Sequence, residues 1–295
     1  MAETSTLDAP ASAPPAAARA GAGPRPRPRP GAGRYVFRLI VVVYLFLLVA
    51  WPVSLVAKYT FADGFTEIRA IFDDPDVMHA LRLTVWVAIA SVVLNTVFGV
   101  GISLLLVRYE FPGKRWLNAF LDLPLAVSPV VVGLSLVLVY GGRTGWFGPT
   151  LEDAGLQIIF ATPGIVLATV FVALPLVIRE VVPVLEEIGF EQEQAAQSLG
   201  ANAIQVFRRI TLPSIKWALV YGVVLSLARS LGEFGAVKVV SGNLLGQTRT
   251  ATLVVEEKYL NFDPGGAYAT AFLLALVSVA CIVIVSIIRP KEQSK

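Results

Sequence analysis

Six long apolar runs divide the chain, near Val36–Ala57, Leu81–Val107, Leu117–Tyr140, Phe160–Pro183, Lys216–Val240 and Ala267–Ile288. Each is long enough to cross a hydrocarbon core, which takes about 20 residues of helix. A soluble domain would have to bury all of these runs around one centre. The pattern therefore predicts an all-α membrane protein with six transmembrane helices. Pro52, Pro124, Pro129, Gly133 and Pro175 interrupt several runs. Broken backbone is tolerated at membrane depth only where protein or a water-filled path satisfies the freed groups. The interruptions thus point to a bundle around a pathway rather than to inert anchors.

Composition agrees: 56% of the 295 residues are apolar and 15% are charged, against roughly a quarter charged in soluble domains. Residues 1–34 are of different material, rich in Ala, Pro, Gly and Arg and ending in the repeat Pro24 to Pro30. Such a segment has no apolar surface to offset ordering entropy, so it is expected to be a disordered tail that helps fix orientation. The apolar run behind it is too long for a cleaved signal peptide. Lys and Arg cluster at the ends that an even number of spans would place together, at Arg19, Arg25, Arg27, Arg29, Arg34, Arg108, Lys114, Arg115, Arg208, Arg209, Arg289, Lys291 and Lys295. The alternate loops hold only Lys58, Arg69, Arg143, Arg249 and Lys258. The positive-inside rule then predicts both termini in the cytoplasm of a multi-pass protein of the cell (inner) membrane.

The segment from Val184 to Ile215 falls on the same cytoplasmic side. Glu191 to Leu199 reads as a short helix with Ala195, Ala196 and Leu199 on one face. Gly200 suits the left-handed position just past its end. Asn202 suits the N-cap of a second helix running through Ile204, Phe207 and Ile210, with Pro213 expected to stop it. The result is a helix–Gly–helix elbow whose small alanines allow a partner backbone to come close.

With Gln194-Ala195-Ala196, Gly200, Ala201, Asn202 and then Ile210-Thr211-Leu212-Pro213 at this spacing, the segment resembles the EAA loop of ATP-binding-cassette (ABC) importer permeases. In that family the loop docks in a groove of the ATPase. The resemblance implies a type I importer permease fold, with 35–75 the first transmembrane helix and outer loop. The permease core would span 76–289, the coupling loop 190–213, and a short cytoplasmic tail 290–295. One position departs from the pattern. Gln194 stands where the family has Glu, and the acidic residue comes one step earlier as Glu193.

Three further segments narrow the resemblance. They are Asp73-Asp74-Pro75-Asp76-Val77-Met78-His79-Ala80, Leu123 to Val131, and Arg229-Ser230-Leu231-Gly232-Glu233-Phe234-Gly235 continuing into Val239-Val240-Ser241-Gly242-Asn243. Together they are similar to the W-type subunits of sulfate/thiosulfate permeases. The resemblance implies a T-type permease partner, two ATPase subunits carrying ATP and Mg2+, and an extracytoplasmic sulfate-binding protein. No cofactor is expected in this chain and no nucleic acid among its partners. Molybdate or tungstate permeases share part of the pattern and stand as the alternative within the class.

Intramembrane charges are costly and mark functional candidates. Asp122, Ser128, Arg229, Glu233 and Phe234 are the pathway or gate candidates on this ground. Arg229 either faces the path and lowers the barrier for a divalent anion, or forms a neutral pair with Glu233 or Asp122 that holds helices together. Other classes find less support. No Gly-x-x-x-x-Gly-Lys-Ser/Thr loop occurs, so ATP use requires another chain. One His (His79) and one Cys (Cys281) offer neither a metal site nor a catalytic set. An ion-coupled secondary anion transporter would not need the elbow, and no inverted repeat is visible.

Overall fold

The computed structural model describes residues 32–62 and 64–287. The expected tails, at 1–34 as far as residue 31 and at 290–295, lie outside the described residues. The chain divides into two units, one ending at Trp51 and the other beginning at Pro52. The first contains α1 (Ala32–Leu45) and a π turn at Phe46–Ala50. Its apolar side chains from Val36 to Val49 are exposed, as expected of a helix whose solvent is lipid. α2 (Trp51–Thr60) follows, and the helical stretch Val36–Thr60 is long and apolar enough to cross a membrane.

The second unit is built of helices joined by turns and loops, with no strand among its described residues. It runs through α3 (Thr66–Asp73), α4 (Pro75–Arg108), α5 (Lys114–Ala126), α6 (Pro129–Tyr140) and α7 (Gly148–Asp153). α8 (Thr162–Ile188), α9 (Glu191–Ser198) and α10 (Ala203–Val206) come next, then a π turn at Phe207–Thr211. The chain closes with α11 (Leu212–Leu231), α12 (Gly235–Val240), α13 (Ala251–Leu260) and α14 (Pro264–Ile287). Among the described residues five helical stretches are long and apolar enough to span, and there are six if the bent pair α5–α6 counts as one span.

Two expected spans need correction. The third, expected over Leu117–Tyr140 with Pro124 and Pro129 interrupting it, divides into α5 and α6 with a bend of 116° between them. Pro129 is the cause: it has no amide to give α5 and it biases Ser128 toward extended backbone (ψ 134°), so the helix ends at Ala126 and restarts at Pro129. The fifth does not reach Val240 as one helix. α11 stops at Leu231, and Gly232-Glu233-Phe234 separates it from the short α12. Pro124, Pro175 and Pro183 lie inside helices without breaking them, and Gly133 lies inside α6.

Pro213 does not stop the second elbow helix either. Leu212 donates its amide to the Phe207 carbonyl, five residues back, so the chain stays helical from Ala203 to Leu231. A proline ring clashes with the carbonyl four residues earlier, and the wider π turn moves that carbonyl aside. The same device precedes Pro52, where the Trp51 amide reaches the Phe46 carbonyl.

α4, α8 and α11 pack against one another as the centre of this unit. Toward one end, Val100, Val177, Val181, Leu185 and Ile215 form a buried cluster. Toward the other, Val87, Val132, Ile165, Val166, Val172, Val237 and Leu253 join α4, α6, α8, α12 and α13. Between α4 and α11 the buried Asn95 amide donates to Ser226 Oγ at 3.2 Å. Such a bond inside an apolar bundle sets the register of the two helices.

Candidate functional site

The elbow is built as its sequence specifies. α9 ends at Ser198, and Gly200 takes φ +87°, a left-handed conformation that a side chain disfavours. Asn202 then caps α10 with a reciprocal pair. Its Oδ1 accepts the Gln205 amide, and Gln205 Oε1 accepts the Asn202 amide, both at 2.9 Å. The tip projects clear of the bundle: Ala195 is exposed, Leu199 is 90% exposed and Ile204 is 69% exposed. Ile210 and Thr211 lie in the π turn, with Leu212 and Pro213 opening α11.

What holds the elbow to the bundle was not visible in the sequence. α9 buries none of its own residues. Glu193 ties it down: its carboxylate lies 3.0 Å from Nε of Arg108 at the end of α4 and accepts a hydrogen bond from Nη2 at 3.1 Å. Thr211 donates its hydroxyl to the same carboxylate at 2.8 Å. Arg108 also donates to the Leu185 carbonyl of α8 at 3.2 Å and lies 4.7 Å from the centre of the Phe190 ring. The acidic side chain one step before the expected position is therefore the paired one, while Gln194 is exposed.

A second cluster lies at the two helix breaks. A Cβ on Gly133 of α6 would stand 2.9 Å from the Ala236 carbonyl and 2.8 Å from Val239, so the glycine is what lets α12 lie against α6. Pro129 likewise adjoins Gly235. Ser128 and Phe234 thus come to the same region, one at each break, with Ser128 exposed and Phe234 36% exposed. Arg229 and Glu233 pair at 2.7 Å, the carboxylate buried and the guanidinium partly exposed. Of the two partners open to Arg229, Glu233 is the one it takes, while Asp122 pairs with Arg179 of α8 at 2.8 Å. Lys238 pairs with Glu256 of α13 and lies over the Phe234 ring. Each of these three cations has its own carboxylate, so the local fields largely cancel.

At the end opposite the elbow, two of the segments singled out in the sequence meet. Asp74 caps α4 by accepting the Asp76 amide at 3.0 Å, with Pro75 in the first turn. One turn later His79 lies 3.4 Å from the Gln247 carbonyl, which follows Ser241-Gly242-Asn243. Arg249 in that loop bonds Asn243 Oδ1 at 3.1 Å and pairs with Glu257 at 2.7 Å. Trp146 and Phe147 in the loop before α7 are exposed, as an interfacial anchor requires.

Residues 95–293 match the model of the binding-protein-dependent transport system inner membrane component. The chain belongs to that family. Among its relatives is the sulfate transport system permease protein CysW of Synechococcus elongatus, 47% identical over 248 residues that cover 84% of this chain and 86% of the relative. The sulfate transport system permease protein CysT of Salmonella typhimurium is 36% identical over 233 residues, covering 79% and 84%. A bacterial alginate ABC transporter, solved with an alginate pentasaccharide-bound periplasmic protein, has the same fold. Its TM-score is 0.72 at 16% identity, over 85% of this chain and 91% of that one.

Family membership gives the molecule its setting. A binding-protein-dependent inner-membrane component is a non-catalytic ABC importer permease subunit that works with a permease partner and a binding protein, and a separate ATPase hydrolyses ATP. The fold bears out the helical membrane architecture expected from the six apolar runs.

Proposed function

We propose that this chain is the W-type half of a sulfate/thiosulfate importer. The observation that carries the reading is the 47% identity to the Synechococcus elongatus W-type sulfate permease, against 36% to the T-type protein. A T-type chain would be the other half of the path, two ATPases would bind ATP and Mg2+, and a sulfate-binding protein would deliver the anion. Both termini face the cytoplasm in this reading, which follows the Lys/Arg distribution. The elbow from Glu193 to Asn202, supported by Ile210, Leu212 and Pro213, docks on one ATPase. Its exposed Ala195, Leu199 and Gly200 suit a groove that admits small residues and one apolar knob.

The path runs past the breaks at Ser128 and Phe234. Backbone released from helices at membrane depth is expected where a water-filled route passes. Because Arg229 and Arg179 are each neutralised by a carboxylate, the route carries no strong trap for a divalent anion. Selection then rests mainly on the binding protein. Alternating access follows: ATP closes the ATPases, the elbows move, the bundle opens outward to receive the anion, and hydrolysis returns it inward.

Uptake of radiolabelled sulfate by cells lacking this gene, with and without its restoration, tests the reading alongside molybdate uptake. Sulfate uptake lost and restored, with molybdate untouched, is the expected outcome. Loss of molybdate uptake with sulfate uptake intact would overturn the substrate.

A further inference from the structure

A short helix at the surface is normally held down by the apolar residues it buries, and α9 buries none. Its charged link to the rest of the fold is Glu193, and among the described residues the carboxylate of Glu193 meets two side chains, Arg108 and Thr211. Arg108 is nearly buried, with 9% of its side chain exposed. From the last turn of α4 it touches three other pieces of the structure: Glu193 of α9, the Leu185 carbonyl near the end of α8, and the face of Phe190 in the connection between them. Thr211 adds the π turn that leads into α11.

We propose that Arg108 is the positioning residue through which movement of α9 is passed to α4 and α8. The inference rests on the reading that the elbow docks on an ATPase, and adds the joint on the bundle side. A force applied at Leu199 and Ala195 can enter the bundle by two routes. One is the covalent chain, which turns at Gly189 (φ +71°) and at Gly200 (φ +87°), where glycine offers little resistance to rotation. The other is the charge contact between guanidinium and carboxylate, one hydrogen bond from Nη2 at 3.1 Å with Nε 3.0 Å from the second oxygen, which is held on the bundle side by the Leu185 carbonyl. The second is the stiffer. It engages α4 and α8 together, so α9 moves them as one body rather than swinging freely on its glycines. Arginine suits this role better than lysine, since a point charge would bind the carboxylate and leave the Leu185 carbonyl unserved.

The experiment uses the full importer in proteoliposomes, with sulfate-loaded binding protein, and reads sulfate imported per ATP hydrolysed. Arg108→Gln is expected to retain the ATPase on co-purification and to lower this ratio by about tenfold, within the range that coupled charge pairs show in double-substitution cycles. Glu193→Gln, which keeps the side chain's shape, is expected to lower the ratio as well. The double substitution is expected to do no further harm than Arg108→Gln alone. Arg108→Lys recovers part of the ratio, a rescue that a purely volumetric role would not give. If Arg108→Gln fails to assemble, Glu193→Gln and Arg108→Lys carry the test.

An unchanged ratio in Glu193→Gln and Arg108→Gln overturns the proposal. Losses that simply add in the double substitution also overturn it, since the two residues would then act separately. Failure of the unsubstituted chain to hold the ATPase would instead overturn the docking reading on which the proposal rests.

Discussion

Arg229 and Glu233 close an ion pair of 2.7 Å at the point where α11 ends, and the same carboxylate accepts the Ala236 amide of α12 at 3.0 Å. Glu233 therefore bridges a helix end and the next helix start, with its side chain 2% exposed. Removing only the arginine would leave that carboxylate buried without its counter-charge. Arg229→Met is expected to lower stability by about 3 kcal/mol, the lower end of the range for buried pairs, because Arg229 itself is partly exposed. The loss should appear as less assembled permease and a lower melting temperature in detergent, with uptake per assembled complex nearly kept. Arg229→Met with Glu233→Gln should recover much of the assembly. Full assembly with uptake abolished would make Arg229 a field source in the path.

Leu199 buries almost nothing within the chain. Leu199→Ser is expected to change fold stability by no more than about 0.5 kcal/mol, as surface substitutions usually do. It should weaken retention of the ATPase during purification. Equal retention by the substituted and unsubstituted chains would remove Leu199 from the docking surface.

Gly133 is expected to be intolerant of any side chain, since an added Cβ meets backbone oxygen at 2.9 Å and Val239 at 2.8 Å. Gly133→Ala should push α12 away from α6 and cost about 1–3 kcal/mol, as overpacking does. Gly101, also helical, has nothing within 4 Å of its Cβ position, and Gly101→Ala serves as the matched control. Thermal unfolding of the two variants side by side gives the comparison.

The capping box at Asn202 and Gln205 predicts a local effect. Asn202→Ala should cost about 1 kcal/mol and leave the Gln205 amide of α10 without its acceptor. Hydrogen exchange at Gln205 should quicken while exchange in the middle of α11 stays unchanged. Faster exchange along the whole of α11 would mean that the box supports the long helix and not only its first turn.

The sequence made the elbow legible because its signals are local. Gly200 and Asn202 each act within a few residues of their own backbone, and their conformations agree with the expectation. The spans were legible for a similar reason, as sustained apolar length. The helix ends were less so. Pro129 breaks a helix while Pro175 does not, and Pro213 is absorbed by a π turn. The difference lies in the turn the backbone adopts just before each proline, extended at Ser128 and π-helical at Phe207–Thr211, which one-dimensional spacing does not carry. Arg108 was hidden for a deeper reason. Its partner is 85 positions away, and in sequence it looked like one more basic residue at the inner end of a span. Asp122 illustrates the same limit, since its pairing with Arg179 depends on how α5 leans on α8.

The π turn ahead of Pro213 has a mechanical consequence. Because the helix is not interrupted there, the 29 residues from Ala203 to Leu231 form a single lever, about 43 Å long at 1.5 Å per residue. One arm begins at the elbow and the other ends at the break beside Phe234. Pivoting the rod about its elbow end by about 5° carries the far end through roughly 4 Å, a simple product of that length and the angle. A proline that would ordinarily have put a hinge in the rod has been accommodated so that stroke length is preserved.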